Sequence, residues 1–179
     1  MKKTQKSVLA LLALCSIALS LFGCSEIPVA VGTQAPAQGA VSPTAAGDPV
    51  FKVGEIVELS DVNVTLLSVK ESKGAQFFEP AEGNIFLLCE FEIENKSTEE
   101  LAVSSMLSFE AYCDDYTCSL SISALSASDQ EQLDGTVAPG KKMKGVVGYE
   151  VPENWKELEV HYTLDLLNSK TIVFVATNE

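Results

Sequence analysis

The segment NIFLLCEFEIEN, Asn84 to Asn95, constrains the fold most, because apolar and acidic side chains alternate along most of its length. One face carries Ile85, Leu87, Cys89, Phe91 and Ile93, and the other carries Glu90, Glu92 and Glu94. A period of two residues is typical of a strand with one buried and one solvated face. The segment therefore predicts a long strand in an antiparallel sheet.

Shorter apolar segments with the same period surround this strand, and turn residues such as Asp134-Gly135 and Pro139-Gly140 separate them. Several short strands with turns at this spacing favour an immunoglobulin-like antiparallel β-sandwich of seven to eight strands. Only residues 126–133 have a pattern that favours a helical turn or two. The remaining predicted strands are 55–59, 62–70, 101–112, 118–123, 143–151, 158–166 and 171–176.

The first 23 residues have the pattern of an export signal. Lys2, Lys3 and Lys6 precede an apolar run over residues 8–22, and a positive start followed by such a run predicts a signal peptide. A transmembrane helix is the alternative, but it needs about 20 apolar residues. The run is shorter, and no basic cluster follows it as a cytoplasmic flank requires.

The run ends in Leu21-Phe22-Gly23-Cys24, which resembles the bacterial lipobox. This resemblance implies that a diacylglyceryl group is attached to the Cys24 sulfur and that the chain is cut before Cys24. Two acyl chains are enough for stable anchoring. We therefore expect a protein that is held on the extracytoplasmic face of a cell membrane by the lipid on Cys24.

Residues 24–50 differ in composition from the rest of the chain. Pro28, Pro36, Pro43 and Pro49 alternate there with glycines and many alanines, and proline continues neither helices nor central strands. The composition predicts a lipid-anchored, disordered linker with a span of roughly 30 Å. The folded domain is then expected over residues 51–179.

The charge of the chain excludes some classes of partner. The formal net charge is −13, and the predicted cut removes three of the twelve lysines and no acid, while the chain contains no arginine. Such a surface repels nucleic acid and anionic lipid headgroups. We therefore expect no nucleic-acid partner, and the lipid on Cys24 is the expected contact with the membrane.

A set of short motifs in a fixed order carries a family resemblance. The motifs are Gly54-Glu55, Pro80 with Gly83-Asn84, Glu94-Asn95-Lys96-Ser97, Phe109-Glu110-Ala111-Tyr112, Leu133 through Pro139-Gly140-Lys141, and Gly145 through Tyr149-Glu150-Val151-Pro152. On these motifs, the domain resembles a bacterial family of secreted lipoproteins that carries a telokin-like, immunoglobulin-like domain of unknown function. The resemblance implies a β-sandwich and an extracytoplasmic location, and it implies no catalytic activity.

The domain offers little for catalysis. His161 is the single histidine, and the strand pattern places it on a polar face with Glu159, whereas catalysis usually needs a base beside a nucleophile. No second histidine or CxxC pair completes a zinc site. We predict no enzyme, no cofactor and no metal. Calcium at the acidic clusters 99–100, 114–115 and 129–134 stays open as an alternative.

Three cysteines lie in the predicted domain. Cys89 is in phase with the apolar face of its strand and is predicted to be a buried free thiol. Cys113 and Cys118 flank a short polar segment. A turn formed by Asp115-Tyr116 would place these two cysteines opposite each other, where a disulfide can close. The sequence alone does not decide between a disulfide that joins Cys113 and Cys118 and two free thiols.

Tyr116 is the best candidate for contact with a partner, because it lies beside Asp114 and Asp115 at a predicted hairpin tip. Trp155 follows a strand end and is expected to cover one end of the core. The chain is thus predicted to be a non-catalytic binding module that contacts an unknown protein or cell-envelope ligand. Two alternatives stay open: a secreted enzyme or redox protein that uses the cysteines or a hidden carboxylate pair, and a structural envelope component without a specific ligand.

Overall fold

The computed structural model describes residues 29–33, 49–165 and 170–178. The predicted signal peptide, Cys24 and most of the predicted linker lie outside these residues. The described elements are β1 Val29–Thr33, β2 Val50–Lys52, β3 Glu55–Leu59, β4 Val62–Ser72, β5 Asn84–Asn95, β6 Leu101–Val103, β7 Phe109–Cys113, β8 Tyr116–Cys118, α1 Ile122–Ser126, β9 Gly135–Val137, β10 Lys142–Pro152, β11 Glu157–Asp165 and β12 Lys170–Thr177.

These strands form two five-stranded sheets and one small two-stranded sheet. The first sheet has the order β1-β3-β4-β5-β10, the second has the order β2-β12-β11-β7-β8, and β6 pairs with β9. Neighbouring strands are antiparallel except for β2 and β12, which are parallel. The predicted all-β sandwich is confirmed, although the described residues form more strands than the seven or eight expected.

The strand β5 has the bounds that the sequence predicts, and it lies between β4 and β10. Its apolar face is buried in the core, with Phe91 and Ile93 at 0% exposure. On its outer face, Lys144 Nζ lies 2.9 Å from Glu90 Oε1 and Lys142 Nζ lies 2.9 Å from Glu92 Oε1. The hydrogen bond from Lys144 holds the pKa of Glu90 below its usual value.

Aromatic side chains join the two sheets at the centre of the core. The ring centroid of Phe91 on β5 lies 5.0 Å from that of Phe109 on β7 and 5.8 Å from that of Phe174 on β12. Phe109 in turn lies 5.0 Å from Tyr162 on β11. Tilted and edge contacts at these distances are favourable for aromatic pairs. The core is therefore built between the two large sheets, as in other sandwiches.

The prediction of a linker without regular structure is wrong for Val29–Thr33. This segment forms β1 and pairs antiparallel with β3, with Val29 opposite Glu58 and Thr33 opposite Glu55. The pairing covers the edge of β3, and unpaired backbone groups at such an edge favour an added strand. The composition of the segment gave no signal for this, because edge pairing depends on the partner strand.

Two local predictions also need correction. The predicted segment 101–112 is two strands, β6 and β7, because the Ser104–Ser108 turn interrupts it. The helical turn lies at Ile122–Ser126 instead of 126–133. Its start is fixed by Ser121, whose hydroxyl oxygen accepts a hydrogen bond from the Ala124 backbone at 3.1 Å. A serine N-cap of this kind is a common helix start.

Candidate functional site

Three connections meet at one end of the sandwich. Lys73, after β4, forms an ion pair of 2.7 Å with Glu153, which follows β10, and the Glu153 backbone donates to the Gly83 carbonyl at 3.0 Å. The turn between β7 and β8 lies at the same end of the sandwich. The Asp114 backbone in this turn donates a hydrogen bond to the Glu157 carbonyl at 3.0 Å. We call residues 71–83, 114–116 and 150–157 the loop end.

The β7–β8 turn lies one residue earlier than the sequence predicts. Asp114 and Asp115 have φ values of 47° and 69°, and positive φ at both central residues is what a type I′ hairpin turn requires. Cys113 therefore pairs with Tyr116, and Ala111 pairs with Cys118. The predicted Asp115-Tyr116 turn, with Cys113 opposite Cys118, is wrong.

Asp114 holds two parts of the loop end together. Its carboxylate oxygen Oδ1 accepts hydrogen bonds from the backbone of Lys156 at 3.1 Å and of Glu157 at 3.0 Å. Together with Asp115 and Asn154, these residues line a shallow depression. Of the three residues predicted to contact a partner, Asp114 is thus occupied with positioning a neighbouring loop.

Tyr116 and Asp115 lie on the solvent side of the same hairpin. The Tyr116 side chain is 79% exposed, and Asp115 is also exposed. An exposed aromatic ring contributes no burial energy to the fold, and such rings are frequent among the residues that dominate binding energy. These two residues keep the surface position that the sequence predicts.

Sequence reasoning missed the most exposed aromatic residue of the loop end, Phe77. It is 85% exposed, and the neighbouring Phe78 is 41% exposed. Backbone hydrogen bonds close a small hairpin around it, from Ala75 to the Phe78 carbonyl at 3.0 Å and from Phe78 to the Ala75 carbonyl at 2.8 Å. Two consecutive phenylalanines in a polar connection between strands were the available signal.

Gly74 makes this hairpin geometrically feasible. It has a φ of 85°, and a Cβ atom placed there would lie 2.1 Å from the Phe78 carbonyl oxygen. An L-residue with a side chain at this position meets both an unfavourable backbone conformation and a collision with the backbone. The conformation that holds Phe77 in solvent therefore depends on a glycine before it.

The loop end is strongly acidic. It contains eight carboxylates and two lysines, Lys73 and Lys156. One carboxylate, Glu71 Oε1, accepts a hydrogen bond of 2.8 Å from the indole nitrogen of Trp155, which is 5% exposed. Trp155 therefore lies where the sequence predicts, over one end of the core.

The three described cysteines are free thiols. Cys89 is buried as predicted, and burial raises its pKa. Burial also raises the pKa of Cys113 to about 12. With the observed register, Cys113 and Cys118 are diagonal neighbours on one face, and their side chains are in hydrogen-bond contact. The prediction that the two cysteines lie directly opposite each other is therefore wrong, and experiment has to decide between a bridge and two free thiols.

His161 lies on the outer face of the second sheet. Its Nε2 is 3.2 Å from Glu159 Oε2, and its ring centroid lies 5.2 Å from that of Tyr112, with the two rings tilted by 59°. Its side chain is only 27% exposed, so it is less solvated than the sequence predicts. Among the residues that the structure describes, no three His, Cys, Asp or Glu side chains are grouped to hold a metal ion.

A buried serine forms a polar cluster away from the loop end. The Ser105 hydroxyl donates to Asp134 Oδ2 at 2.8 Å and accepts from Gln132 Nε2 at 2.6 Å, and its backbone donates to Asp134 Oδ1 at 2.9 Å. Ser105 is 1% exposed, which leaves its oxygen without access for a substrate. The hydrogen bonds of this cluster connect the turn before β7 to the segment before β9.

The motif Glu94-Asn95-Lys96-Ser97 has a structural role. Asn95 is fully buried, and its amide nitrogen donates to the carbonyls of Glu99 at 2.7 Å and Val137 at 2.8 Å. Its amide oxygen accepts from the Ser97 backbone at 3.0 Å and hydroxyl at 2.7 Å. A buried amide needs such partners, so this motif serves the fold.

Comparisons with known proteins agree with this architecture. The domain is similar in structure to the "putative lipoprotein" ycdA of Bacillus subtilis, with 19% identity and a TM-score of 0.56, over 67% of this chain and 38% of that chain. The chain thus spans well under half of ycdA. It is also similar to yjhA of Bacillus subtilis, with 18% identity and a TM-score of 0.54, over 69% of this chain and 97% of that chain.

No curated protein matches the sequence. In the described part of the chain, no helix has the length and apolar character to cross a membrane. The family model of a domain of unknown function, DUF4352, matches residues 51–172, which is most of the chain and nearly all of the sandwich. The protein therefore belongs to the DUF4352 family.

Proposed function

We propose that the protein is a lipid-anchored, extracytoplasmic and non-catalytic binding domain with a telokin-like, immunoglobulin-like sandwich. The lipid is a diacylglyceryl group on Cys24, and the loop end is the surface that binds a partner. The lipobox-like segment before Cys24 supports the anchor. The lipoprotein description of ycdA, a protein of similar fold, points in the same direction.

One observation carries the binding function: two aromatic side chains stand in solvent on hairpins of fixed backbone geometry. Phe77 is 85% exposed and Tyr116 is 79% exposed. A hairpin backbone that is hydrogen-bonded before binding reduces the entropy that binding costs. Exposed aromatic residues of this kind are typical anchors of protein interfaces.

The charge of the loop end favours one kind of partner. Eight carboxylates against two lysines create a negative field around the aromatic side chains. Such a field accelerates association with a basic surface and disfavours an acidic one. We therefore propose a protein or envelope partner that presents basic groups around an apolar contact, and we expect its affinity to fall as salt is added.

The test uses the lipidated full-length protein as bait on intact cells. The bait variant Phe77→Ser/Tyr116→Ser removes both aromatic side chains from the loop end. The matched control, Met106→Ser/Leu107→Ser, changes two other apolar residues that are 72% and 68% exposed and lie before β7, outside the loop end. Bound proteins and glycans are identified by mass spectrometry and then titrated against each bait.

If the loop end binds the partner, the wild type and the Met106/Leu107 control should bind the same protein or glycan with similar affinity. The loop-end variant is expected to lose at least about tenfold in affinity, as the removal of two anchor residues implies. Loss of binding in the Met106/Leu107 control alone would place the surface before β7 and contradict the proposal. Equal binding by all three baits would contradict it as well.

A further inference from the structure

The position of β1 determines where the anchored chain enters the sandwich. Val29, the first residue of β1, lies opposite Glu58, and β3 ends one residue later, at Leu59. The turn that follows, Ser60-Asp61, lies at the end of the sandwich opposite the loop end, because β4 runs from this turn to Ser72. We call the end that contains Ser60-Asp61 the entry end.

Chain length limits the distance between the anchor and the entry end. Four residues separate Cys24 from Val29, and five extended steps span at most about 18 Å. The twelve residues of β5 run between the two ends, and a strand of that length spans about 40 Å. With β1 paired, the entry end is thus close to Cys24, and the loop end is much farther from it.

Without β1, the same anchor would allow almost any orientation. A flexible chain from Cys24 to Val50 has a typical end-to-end distance of roughly 30 Å. That distance is comparable to the length of the sandwich, so either end of the domain would reach the bilayer. The antiparallel pairing of β1 with β3, which sets four residue pairs opposite each other, removes most of this freedom.

We infer that β1, by pairing with β3, holds the anchored domain upright and directs the loop end away from the bilayer. The inference rests on the proposed lipid on Cys24. Its consequence is that Phe77 and Tyr116 serve a partner beyond the membrane surface and do not insert into the membrane that holds the anchor. The acidity of the loop end acts in the same direction, because anionic headgroups repel it.

Trp155 gives a native probe for this orientation. It is the single tryptophan of the chain, and it lies in the loop end, where its backbone donates to the Pro152 carbonyl at 3.1 Å. Energy transfer from Trp155 to a dansyl-labelled headgroup lipid falls steeply with distance. The lipidated full-length protein is reconstituted for this purpose in vesicles of zwitterionic lipid that contain a small fraction of the labelled lipid.

Two double variants distinguish the effect of releasing β1 from β3 from the effect of simply adding two prolines to the chain. Ala30→Pro/Val31→Pro removes two successive backbone donors from β1, so that at least one position that faces β3 is affected. Ala45→Pro/Ala46→Pro adds the same two prolines to the linker after β1 and serves as the control. Hydrogen exchange of the β3 amides reports whether β1 is released while the rest of the domain stays folded.

We expect weak energy transfer from Trp155 to the labelled lipid in the wild type and in the control. The transfer should rise at least about twofold when β1 is released into a flexible linker. Strong transfer in the wild type, or equal transfer in all three proteins, would overturn the inference while leaving the anchor intact. Failure of the wild-type protein to float with the vesicles would instead refute the lipid anchor, and the inference would fall with it.

Discussion

Asn95 shows how a single buried side chain organises one end of the sandwich. Its amide connects the end of β5 to the Glu99 carbonyl, the Val137 carbonyl and Ser97 through four hydrogen bonds. A motif that contributes to the family resemblance is thereby explained as structure. Phe77 and Tyr116, at the opposite end of the sandwich, are exposed aromatic residues that the packing of the fold does not explain.

Replacement of Asn95 by alanine is expected to lower the free energy of unfolding by about 3 kcal/mol, because buried carbonyls lose their partners. Asn63→Ala is the matched control. Within the described residues, the Asn63 side chain makes one hydrogen bond, from Nδ2 to Glu94 Oε2 at 3.0 Å, and its Oδ1 has no partner there. The control should cost less than about 1 kcal/mol. Urea denaturation measures both values, and equal losses would contradict this account of the motif.

The cysteines give a second prediction at the residue scale. Because burial raises the pKa of Cys89 and of Cys113, both thiols stay protonated at neutral pH and react slowly. Cys118 is less buried and should be alkylated first in the native protein. Reduction should leave the intact mass unchanged. A gain of two hydrogens on reduction would show a disulfide and contradict the free thiols of the structure.

At the scale of single elements, the small hairpin Ala75–Phe78 is the feature on which the binding proposal depends. Its geometry requires positive φ at Gly74 and at Gln76. The backbone conformation is unfavourable for a residue with a side chain, and it places Phe77 in solvent. A strained, exposed element of this kind is more often found at a contact surface than in a connection without a role.

Gly74→Ala and Gly83→Ala form a matched pair that tests this element. Both glycines have φ above 80°, but an added Cβ at Gly83 meets nothing within 4 Å, whereas at Gly74 it meets the Phe78 carbonyl. Gly83→Ala should cost about 1–2 kcal/mol from the backbone conformation alone. Gly74→Ala should cost more and open the hairpin, so that chymotrypsin cleaves at Phe77 or Phe78. Equal stability and equal cleavage in the two variants would refute the hairpin geometry.

The sequence predicts some elements well and others poorly, for physical reasons. The bounds of β5 follow from the alternation along most of its length, because one face of the strand packs against the second sheet. The turn at Asp114-Asp115 was misplaced by one residue, since aspartate is acceptable at several turn positions. The strand β1 has no alternation that marks it, because an edge strand is defined by the partner it pairs with.

The candidate site was predicted in part. Tyr116 follows from its position beside turn residues, and its exposure is as expected. Asp114 was predicted as a contact residue, but its role in accepting hydrogen bonds from Lys156 and Glu157 depends on a loop 42 residues away in the chain. Phe77 was missed because sequence alone does not distinguish an apolar loop residue that folds inward from one that stays in solvent.

At the scale of the whole molecule, the fold, the linker and the charge combine into one account. A β-sandwich of the DUF4352 family carries an acidic, aromatic surface at the loop end, and the chain enters at the opposite end. That arrangement suits a domain that is fixed on one side and binds on the other. The proposed orientation of the domain depends on the anchor at Cys24, which lies outside the described residues.

Metabolic labelling with a clickable fatty acid tests this central claim most directly. Wild-type protein, Cys24→Ala and Cys15→Ala are expressed in a bacterial host with lipoprotein-processing enzymes. We expect label on the wild type and on Cys15→Ala, whose changed residue belongs to the predicted signal peptide, and no label on Cys24→Ala. Label that persists on Cys24→Ala would contradict the lipid anchor and the orientation that rests on it.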